Sequence, residues 1–256
     1  MITDGFSREK AIIGPEDIYG ERGSFFKTCI CTFSPAILNE LLALCPHRAA
    51  AHVGSVKGAV PVYSFEFEGR TFGAFSISVG SALAGTDIVD INYLAGAENF
   101  IVFGSAGVLD KAAVAGRYVI PTFAYRDEGL SYHYAPPSDY IELPDNEITA
   151  RIFTELGVPF VSGGTWTTDA FYRETRSKLE RRVAEGCLTV DMEMAGLAAV
   201  CAFHGFGLYS FLQAGDVLDG EDYDFSGLHG ANHDIEKLHI ALEIAKRVDR
   251  IRTTLN

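Results

Sequence analysis

The sequence predicts an α/β protein in which a central parallel or mixed sheet is covered by helices on both faces. Strand-like and helix-like patterns alternate after the glycine-dotted residues 1–24, and this order is typical of a sheet between helical layers. The chain has 256 residues, of which 48% are hydrophobic and 21% charged, so it can supply a full core. No repeat or linker-like run interrupts it, and its length fits one large domain or two small ones.

The first half of the chain shows strand and helix patterns in turn. Pro35 is typical of a first helical turn, and apolar residues follow it at helical spacing. Alternating side chains over 60–67 indicate a half-buried strand, and the turn 68–70 after it indicates a hairpin. The predicted elements are strands at 27–33, 60–67, 71–79 and 99–103, a helix opening at Pro35, and a helix at 81–94.

The second half continues the alternation. One helical pattern stops at Gly157, as helices commonly do. The last helix is expected to begin near Asn232 or Asp234, and its apolar residues fall on one face. The predicted elements are strands at 117–123 and 206–212 and helices at 148–156, 169–184 and 193–204.

The composition disfavours several classes of function. The net charge of −13 argues against nucleic-acid partners, because such binding depends on Lys and Arg. No stretch approaches the roughly 20 apolar residues of a membrane span, and the first residues lack the features of a signal peptide. We therefore expect a cytoplasmic protein without membrane partners. The five cysteines include no CxxC motif, which favours reduced, mostly buried thiols.

Three glycine-containing segments are candidate ligand sites, at 79–81, 103–105 and 213–216. In α/β sheets, ligands bind beyond the carboxyl ends of strands, where glycine turns lead into helices. Segment 104–107, Gly-Ser-Ala-Gly, offers backbone N–H groups and a hydroxyl that suit a phosphate, a ribose or a water. An ordinary tight turn is the alternative. The segment matches neither GxGxxG nor GxSxG, so it is neither a dinucleotide fingerprint nor a serine-hydrolase elbow.

Two carboxylates flank a methionine where residues 190–197 enter an apolar helix. Asp191 or Glu193 can act simply as a helix cap, because acids are favoured at helix N-termini. Alternatively, a fixed carboxylate accepts hydrogen bonds from the vicinal hydroxyls of a ribose and stabilises positive charge as the glycosidic bond opens. The Met192 thioether would then offer soft apolar surface beside the sugar.

Asp216 follows an apolar strand and is expected at the carboxyl edge of the sheet. An acid at that position can protonate or hydrogen-bond a departing purine at N7. Capping of a loop is an equal alternative, because further acids follow between residues 219 and 224.

Together these segments resemble the nucleoside phosphorylase family of purine phosphorylases, uridine phosphorylases, and thioadenosine and homocysteine nucleosidases. The resemblance runs from about residue 72 to residue 218. Segment 104–107 resembles the glycine loop, 190–197 the ribose-binding signature and 168–172 the base pocket, and 129–136 is similar to a uridine phosphorylase segment. The residues thereby implied to bind substrate are Gly80, Gly104, Ser105, His133, Phe171, Tyr172, Asp191 and Met192.

The resemblance implies one domain over residues 1–256 around a mixed, barrel-like sheet, and a homo-oligomer built from dimers, usually a hexamer. It implies cleavage of a nucleoside with inorganic phosphate, as in purine salvage, without a cofactor or a metal. The implied catalytic residues are Glu193, which holds the ribose hydroxyls, and Asp216, which assists the leaving base and matches purine-specific members. Ser105 and N–H groups near Gly80 and Gly104 would hold the nucleophile.

The chain departs from the family where phosphate is held. The arginines expected after the first strand and before the glycine loop are replaced near Ile37 and at Val102, and the nucleosidases' water-activating glutamate is also missing near Ile37. Three alternatives stay open: use of water, binding of nucleosides without turnover, or a phosphate site rebuilt from backbone N–H groups, Lys57, Arg70 or Arg126.

Two further patterns have plain interpretations. His229 and His233 have the H-x3-H spacing of some metal sites, but no third ligand accompanies them, so solvated or capping histidines are favoured. Trp166, the single tryptophan, is assigned to the core rather than to the base pocket.

Overall fold

The computed structural model describes residues 5–56, 58–220 and 222–255, with side chains described up to residue 249. The strands are β1 Thr28–Thr32, β2 His47–Val53, β3 Val60–Phe67, β4 Arg70–Ser76, β5 Asn99–Val108, β6 Tyr118–Asp127, β7 Tyr140–Glu142, β8 Phe160–Thr168, β9 Cys187–Asp191 and β10 Gly207–Val217. The helices are α1 Pro15–Tyr19, α2 Pro35–Leu44, α3 Ser81–Ala95, α4 Lys111–Val114, α5 Ser131–Tyr134, α6 Asn146–Leu156, α7 Arg176–Ala184, α8 Met194–His204, α9 Leu228–His233 and α10 Glu236–Leu255, with a 3-10 turn at Phe171–Arg173.

Ten strands in the described ranges join one mixed sheet, and five of them close into a barrel. Around the barrel the order is β5, β10, β6, β8, β9 and back to β5. The pairs β5–β10, β6–β8 and β8–β9 are parallel, whereas β6–β10 and β5–β9 are antiparallel. The predicted α/β fold with a mixed, barrel-like sheet is therefore confirmed.

Four strands extend the sheet outward from β5. Strand β1 runs parallel to β5 and β4, and β3 and β2 follow in antiparallel order. The predicted hairpin between β3 and β4 turns at Glu68 and Gly69, whose φ angles of 47° and 73° suit a two-residue hairpin turn. Strand β2 was not predicted from the sequence. Its first three residues are all exposed, so it lacks the usual alternation of buried and exposed positions.

Strand β5 changes neighbours half-way along its length, and this change opens the sheet. Residues 99–103 pair with β1, whereas Gly107 and Val108 pair with β9. In the described pairings, residues 104–106 bond only to β10, on their other edge. The expectation that 104–107 forms a turn into a helix is wrong, because the segment continues β5 as a strand. Its unpaired edge leaves backbone groups available to a ligand.

Two apolar cores lie on opposite faces of the sheet. Cys29 and Cys31 belong to one core and Ile30 to the other, as the alternation of side chains along a strand requires. The first core includes α3 and α8, and the second includes α2, α6 and α10. Trp166 is buried as expected, and all five cysteines are free and buried, which confirms the predicted thiols. Within the described ranges, no helix combines the length and apolar character that a membrane span requires.

Three predicted boundaries need correction. The helix predicted at 169–184 begins only at Arg176, because the Asp169 carboxylate accepts a hydrogen bond from the Gly129 N–H and holds the preceding segment against another loop. The strand predicted at 206–212 runs to Val217, since pairing with β5 continues past it. Asp216 consequently lies in a strand rather than in a loop or a glycine turn. The last helix, α10, begins at Glu236, two residues after the expected Asp234, and the short helix α9, which was not predicted, precedes it.

Candidate active site

A cavity of about 410 Å³ lies where β5 parts from β1. Its wall combines the ends of β1, β5, β9 and β10 with the start of α8 and with α9 and α10. The volume falls within the range of about 300–1,000 Å³ that is usual for small-molecule sites. The predicted site residues that line it are Gly104, Ser105, Phe171, Asp191, Met192, Glu193 and Asp216.

The Asp191 carboxylate is a buried anchor at the start of α8. It accepts hydrogen bonds from the Thr165 and Thr167 hydroxyls at 2.5 and 3.1 Å, and from the backbone N–H groups of Glu193 and Met194, both at 2.8 Å. Both carboxylate oxygens are thus engaged by strand β8 and by the helix start. The cap interpretation of Asp191 is correct, and its effect is to fix the segment that carries the next two residues.

Glu193 faces the cavity from the position that Asp191 fixes. Its Oε1 accepts a hydrogen bond of 2.6 Å from the Gly80 N–H. Burial, followed by the charge of Asp191, raises the pKa of Glu193 to about 8, against the opposing effect of that hydrogen bond. Gly80 has a φ of 91°, which favours glycine, and it precedes α3. The prediction of a glycine turn into a helix at 79–81 is confirmed.

The Met192 backbone ties the two helices at this site together. Its carbonyl oxygen accepts hydrogen bonds from the Ser81 backbone N–H and from the Ser81 hydroxyl, both at 2.9 Å. The start of α3 is thereby joined to the segment before α8. Met192 itself lines the cavity beside Glu193.

Asp216 reaches the cavity from a β-bulge between Ala214 and Val217 in β10. Bulges commonly redirect side chains at functional sites. Asp216 is buried. Burial, and then the interaction with Asp216, raises the pKa of the Tyr223 hydroxyl to about 12. A Cβ at Gly107 would lie 3.5 Å from Asp216 Oδ2 and only 2.7 Å from a Leu218 methyl carbon. Gly107 therefore makes room for the Leu218 and Val190 side chains, and Asp216 lies next to them.

Glu174 is a cavity residue that the sequence analysis did not single out. It lines the cavity with Phe171, just beyond the end of β8. Burial, and then the charges of Asp216 and Asp191, raise the pKa of Glu174 to about 7, while Lys178 opposes the shift. Its position three residues after the predicted base-stacking aromatic was the available signal.

Gly104 and Ser105 lie on the unpaired edge of β5. The Ser105 hydroxyl donates a hydrogen bond to the Asn232 side-chain oxygen of α9. A Cβ at Gly104 would approach the Phe33 ring to 3.0 Å, so the glycine allows the chain after β1 to come close. The glycine segment thus contacts both β1 and the C-terminal helices.

Three predicted site residues do not line the cavity. Gly80 instead donates a hydrogen bond to Glu193, which does line it. His133 is exposed in α5, and Tyr172 is 93% exposed, with its ring against Phe171 at a centroid distance of 5.0 Å. The part of each in substrate binding stays a prediction.

The arginine substitutes considered from sequence lie elsewhere. Ile37 and Val102 are packed in the two apolar cores. Arg70 is 3.6 Å from Asp249, and Arg126 donates to the Ser131 hydroxyl and to a backbone carbonyl. Neither arginine lines the cavity of this chain. Lys57 lies outside the described residues. No cluster of three or more His, Cys, Asp or Glu side chains suited to a metal occurs among the described residues.

The family is decided by the match of residues 27–248 to the sequence model of the phosphorylase superfamily. The chain belongs to this superfamily. Its resemblance to nucleoside phosphorylases is therefore confirmed. A DeoD-type purine nucleoside phosphorylase of Exiguobacterium sibiricum is 30% identical over 159 residues, which cover 59% of this chain and 65% of that protein. The match thus spans slightly less than two thirds of that relative's length.

Solved structures of the superfamily share the fold. The purine nucleoside phosphorylase of Toxoplasma gondii, in complex with immucillin-H, gives a TM-score of 0.71 at 22% identity and covers 89% of this chain and 92% of its own. The futalosine hydrolase of Helicobacter pylori gives 0.70 at 14% identity, with coverage of 86% and 97%. A phosphorylase and a hydrolase are thus similarly close, so the fold leaves the choice between phosphate and water open.

Proposed function

We propose that this protein cleaves the N-glycosidic bond of a purine-type nucleoside. The observation that carries the proposal is convergence in one cavity. Met192 and Glu193 at the start of α8, Asp216 in β10 and Phe171 beyond β8 come from separate segments and line the same space. The similarity to a purine nucleoside phosphorylase supports a purine base.

Glu193 is proposed to act on the sugar. As the bond from C1′ to the base nitrogen breaks, its electron pair leaves with the base and positive charge builds on the ribose. A carboxylate bonded to the ribose hydroxyls stabilises that charge. The Gly80 N–H holds Glu193 at 2.6 Å, so the side chain is already placed before substrate arrives. Because the pKa of Glu193 is raised to about 8 by burial, the carboxylate form, and with it activity, increases towards that pH.

Asp216 is proposed to act on the base. A departing purine gains electron density and is stabilised by a proton or a hydrogen bond at N7. Asp216 lines the cavity, and the Tyr223 hydroxyl interacts with it. Glu174, whose pKa is raised to about 7 chiefly by burial, holds a proton near neutral pH beside the same position. Phe171 offers a ring surface for the base.

The test is release of free base from a panel of purine and pyrimidine nucleosides, with and without inorganic phosphate. We expect purine release by the wild-type protein, and a loss of about a hundredfold or more in Asp216→Asn. Asp222→Asn, an exposed acid in the following loop, is the matched control and should match wild type. Absence of release from every nucleoside would reject the proposal.

Nucleoside binding without turnover is a second candidate. It is favoured by the apolar burial of Ile37 and Val102, where the family was expected to place phosphate-binding arginines. Calorimetry that shows nucleoside binding, with the nucleoside recovered intact, would select this candidate.

The homo-oligomer built from dimers also stays a prediction. Light scattering on the purified protein measures the oligomeric state.

A further inference from the structure

One wall of the cavity carries hydroxyl, amide and basic side chains, and none of its members is a carboxylate. We call this the basic wall. It is formed by Ser34 after β1, Ser105 in β5, Asn232 and His233 in α9, and Lys237 in α10. The acidic wall comprises Glu174, Asp191, Glu193 and Asp216.

Lys237 is the charged centre of the basic wall. Its side chain is 0% exposed, although lysine is among the residues least often buried. Its ammonium donates a hydrogen bond to the Ala231 carbonyl oxygen, and no ion pair within 4.0 Å includes it in the part of the chain described. Burial lowers the pKa of Lys237 to about 8, and the charge of Asp234 opposes this. A buried ammonium without a carboxylate contact is costly unless an anion joins it.

Asp234, the acid whose charge acts on Lys237, is already engaged by other groups. Asp234 Oδ2 accepts a hydrogen bond of 2.7 Å from the Gln213 side chain, and its Oδ1 accepts one of 3.0 Å from the Glu236 backbone N–H. Asp234 therefore closes the turn between α9 and α10. Lys237 lines the cavity, and this carboxylate is not its ion-pair partner.

Hydrogen-bond donors surround the same space. The Ser34 hydroxyl and His233 Nδ1 are 2.8 Å apart, and the Ser105 hydroxyl bonds to Asn232. Hydroxyl, amide and imidazole groups can all turn a donor towards an oxyanion. The unpaired backbone edge of β5 at residues 104–106 borders them.

The spacing along β5 relates the two walls. Ser105 and Gly107 are two residues apart and so share one face of the strand, about 7 Å from each other. Gly107 packs against Asp216. An anion at Ser105 and a base at Asp216 would therefore lie on either side of a sugar held by Glu193.

We propose that the basic wall is a phosphoryl-binding site in which Lys237, supplied by the C-terminal helix, takes the place of the arginines missing near Ile37 and at Val102. This inference rests on the proposed function. For inorganic phosphate, one phosphate oxygen forms a bond to C1′ while the bond from C1′ to the base breaks. The electron pair leaves with the base, which takes up a proton, and the products are ribose 1-phosphate and free base.

The experiment measures inorganic phosphate on the full-length chain, by calorimetry and by the phosphate dependence of base release. Lys237→Met keeps the length of the side chain and removes its charge. We expect it to raise the phosphate Kd and KM about ten- to a hundredfold and to change the nucleoside KM less than threefold, since one charge-assisted contact is lost. Lys246→Met is the matched control on the same helix, because Lys246 pairs with Glu68 and Glu243 away from the cavity.

A second variant guards against misfolding of Lys237→Met. Asn232→Ala alters an exposed position, and we expect it to weaken phosphate binding about threefold or more through the loss of a hydrogen-bond partner. Unchanged phosphate affinity in a folded Lys237→Met, or no phosphate binding by wild type and no effect of a phosphate ester, would overturn the proposal.

Parallel assays distinguish the source of the phosphoryl group and separate this inference from the proposed function. If Lys237→Met raises the KM of a nucleoside 5′-monophosphate but leaves inorganic phosphate without effect, the wall binds a phosphate ester. Base release independent of both phosphate and Lys237 would overturn the phosphoryl site and leave the proposed function standing. Phosphate binding that depends on Lys237, without base release from any nucleoside, would support the site and reject the proposed function.

Discussion

The acidic and basic walls of the cavity differ in how their side chains are held. In the acidic wall, Asp191 is bonded by four groups from β8 and α8, and Glu193 is held in turn by the Gly80 N–H. In the basic wall, Lys237 bonds to a backbone carbonyl of its own C-terminal segment, and Ser105 bonds across to Asn232.

This difference indicates that the two walls depend on different parts of the fold. The acidic wall is built into the barrel and the helix that follows β9, so its geometry should persist without a ligand. The basic wall depends on how α9 and α10 pack against β1 and β5. Changes to barrel anchors should therefore affect folding and sugar chemistry together, whereas changes to the C-terminal helices should affect anion binding selectively.

The largest expected effect is on stability, in Asp191→Ala. The change leaves the Thr165 and Thr167 hydroxyls and two backbone N–H groups without their buried acceptor. We expect the free energy of unfolding to fall by about 4 kcal/mol, because each unsatisfied buried group costs roughly 1–3 kcal/mol. Urea unfolding followed by circular dichroism measures it.

The matched control for this change is Asp110→Ala. Asp110 caps the short helix α4 through one hydrogen bond of 2.9 Å to the Ala113 N–H. A simple cap of this kind contributes about 1 kcal/mol. Equal losses of unfolding free energy in the two variants would show that Asp191 is an ordinary cap. The acidic wall would then not be more firmly held than the basic wall.

The second-largest effect is expected on catalytic activity, in the Glu193→Gln variant. The amide oxygen can still accept from the Gly80 N–H, but the negative charge that would stabilise the sugar cation is lost. We expect kcat for base release to fall about a hundred- to a thousandfold, with urea unfolding at neutral pH showing a folded protein. Glu180→Gln, an exposed position on α7, is the control, and a similar loss there would contradict a specific role for Glu193.

The acidic wall could largely be predicted from sequence because its key residues are close together or end strands. Asp191, Met192 and Glu193 fall within one eight-residue segment, and Asp216 follows an apolar strand. The α/β alternation and the β3–β4 hairpin are likewise local patterns. The barrel-like closure came from family resemblance, since pairs such as Asn99 with Gly207 are far apart in the chain.

The basic wall could not be predicted, because its position depends on packing between distant segments. Lys237 adjoins the apolar stripe of the last helix and resembles any surface lysine in sequence, yet it is fully buried. The full lengths of β5 and β10 were missed for the same reason: their glycines look like turns, but pairing across the barrel keeps them extended.

The pH dependence of stability sharpens the comparison further. The pKa of Glu193 is raised to about 8 in the folded protein by burial, against an ordinary value of about 4.3. Protonation therefore favours the folded state, and this contribution is lost as pH rises through the window between these values. Between about pH 5.5 and pH 8, we expect wild type to lose about 3 kcal/mol of unfolding free energy relative to Glu193→Gln. If urea unfolding gave the same change in unfolding free energy between the two pH values for both proteins, Glu193 would not be buried and protonated in the folded state.

The smallest expected effect concerns Glu174, the half-buried member of the acidic wall. Its pKa is raised to about 7 by burial and by the charges of Asp216 and Asp191, so its charge changes within the neutral range. Ionisation of Glu174 places another negative charge beside the base-binding part of the cavity, where it attracts a purine that gains a proton at N7. We expect the wild-type nucleoside KM to fall about two- to fivefold between about pH 6 and pH 8 beyond the change in Glu174→Gln, since roughly 1 kcal/mol corresponds to about fivefold. Because both proteins retain Glu193, its own titration cancels in this comparison, and identical KM profiles would place Glu174 outside the base-binding part of the acidic wall.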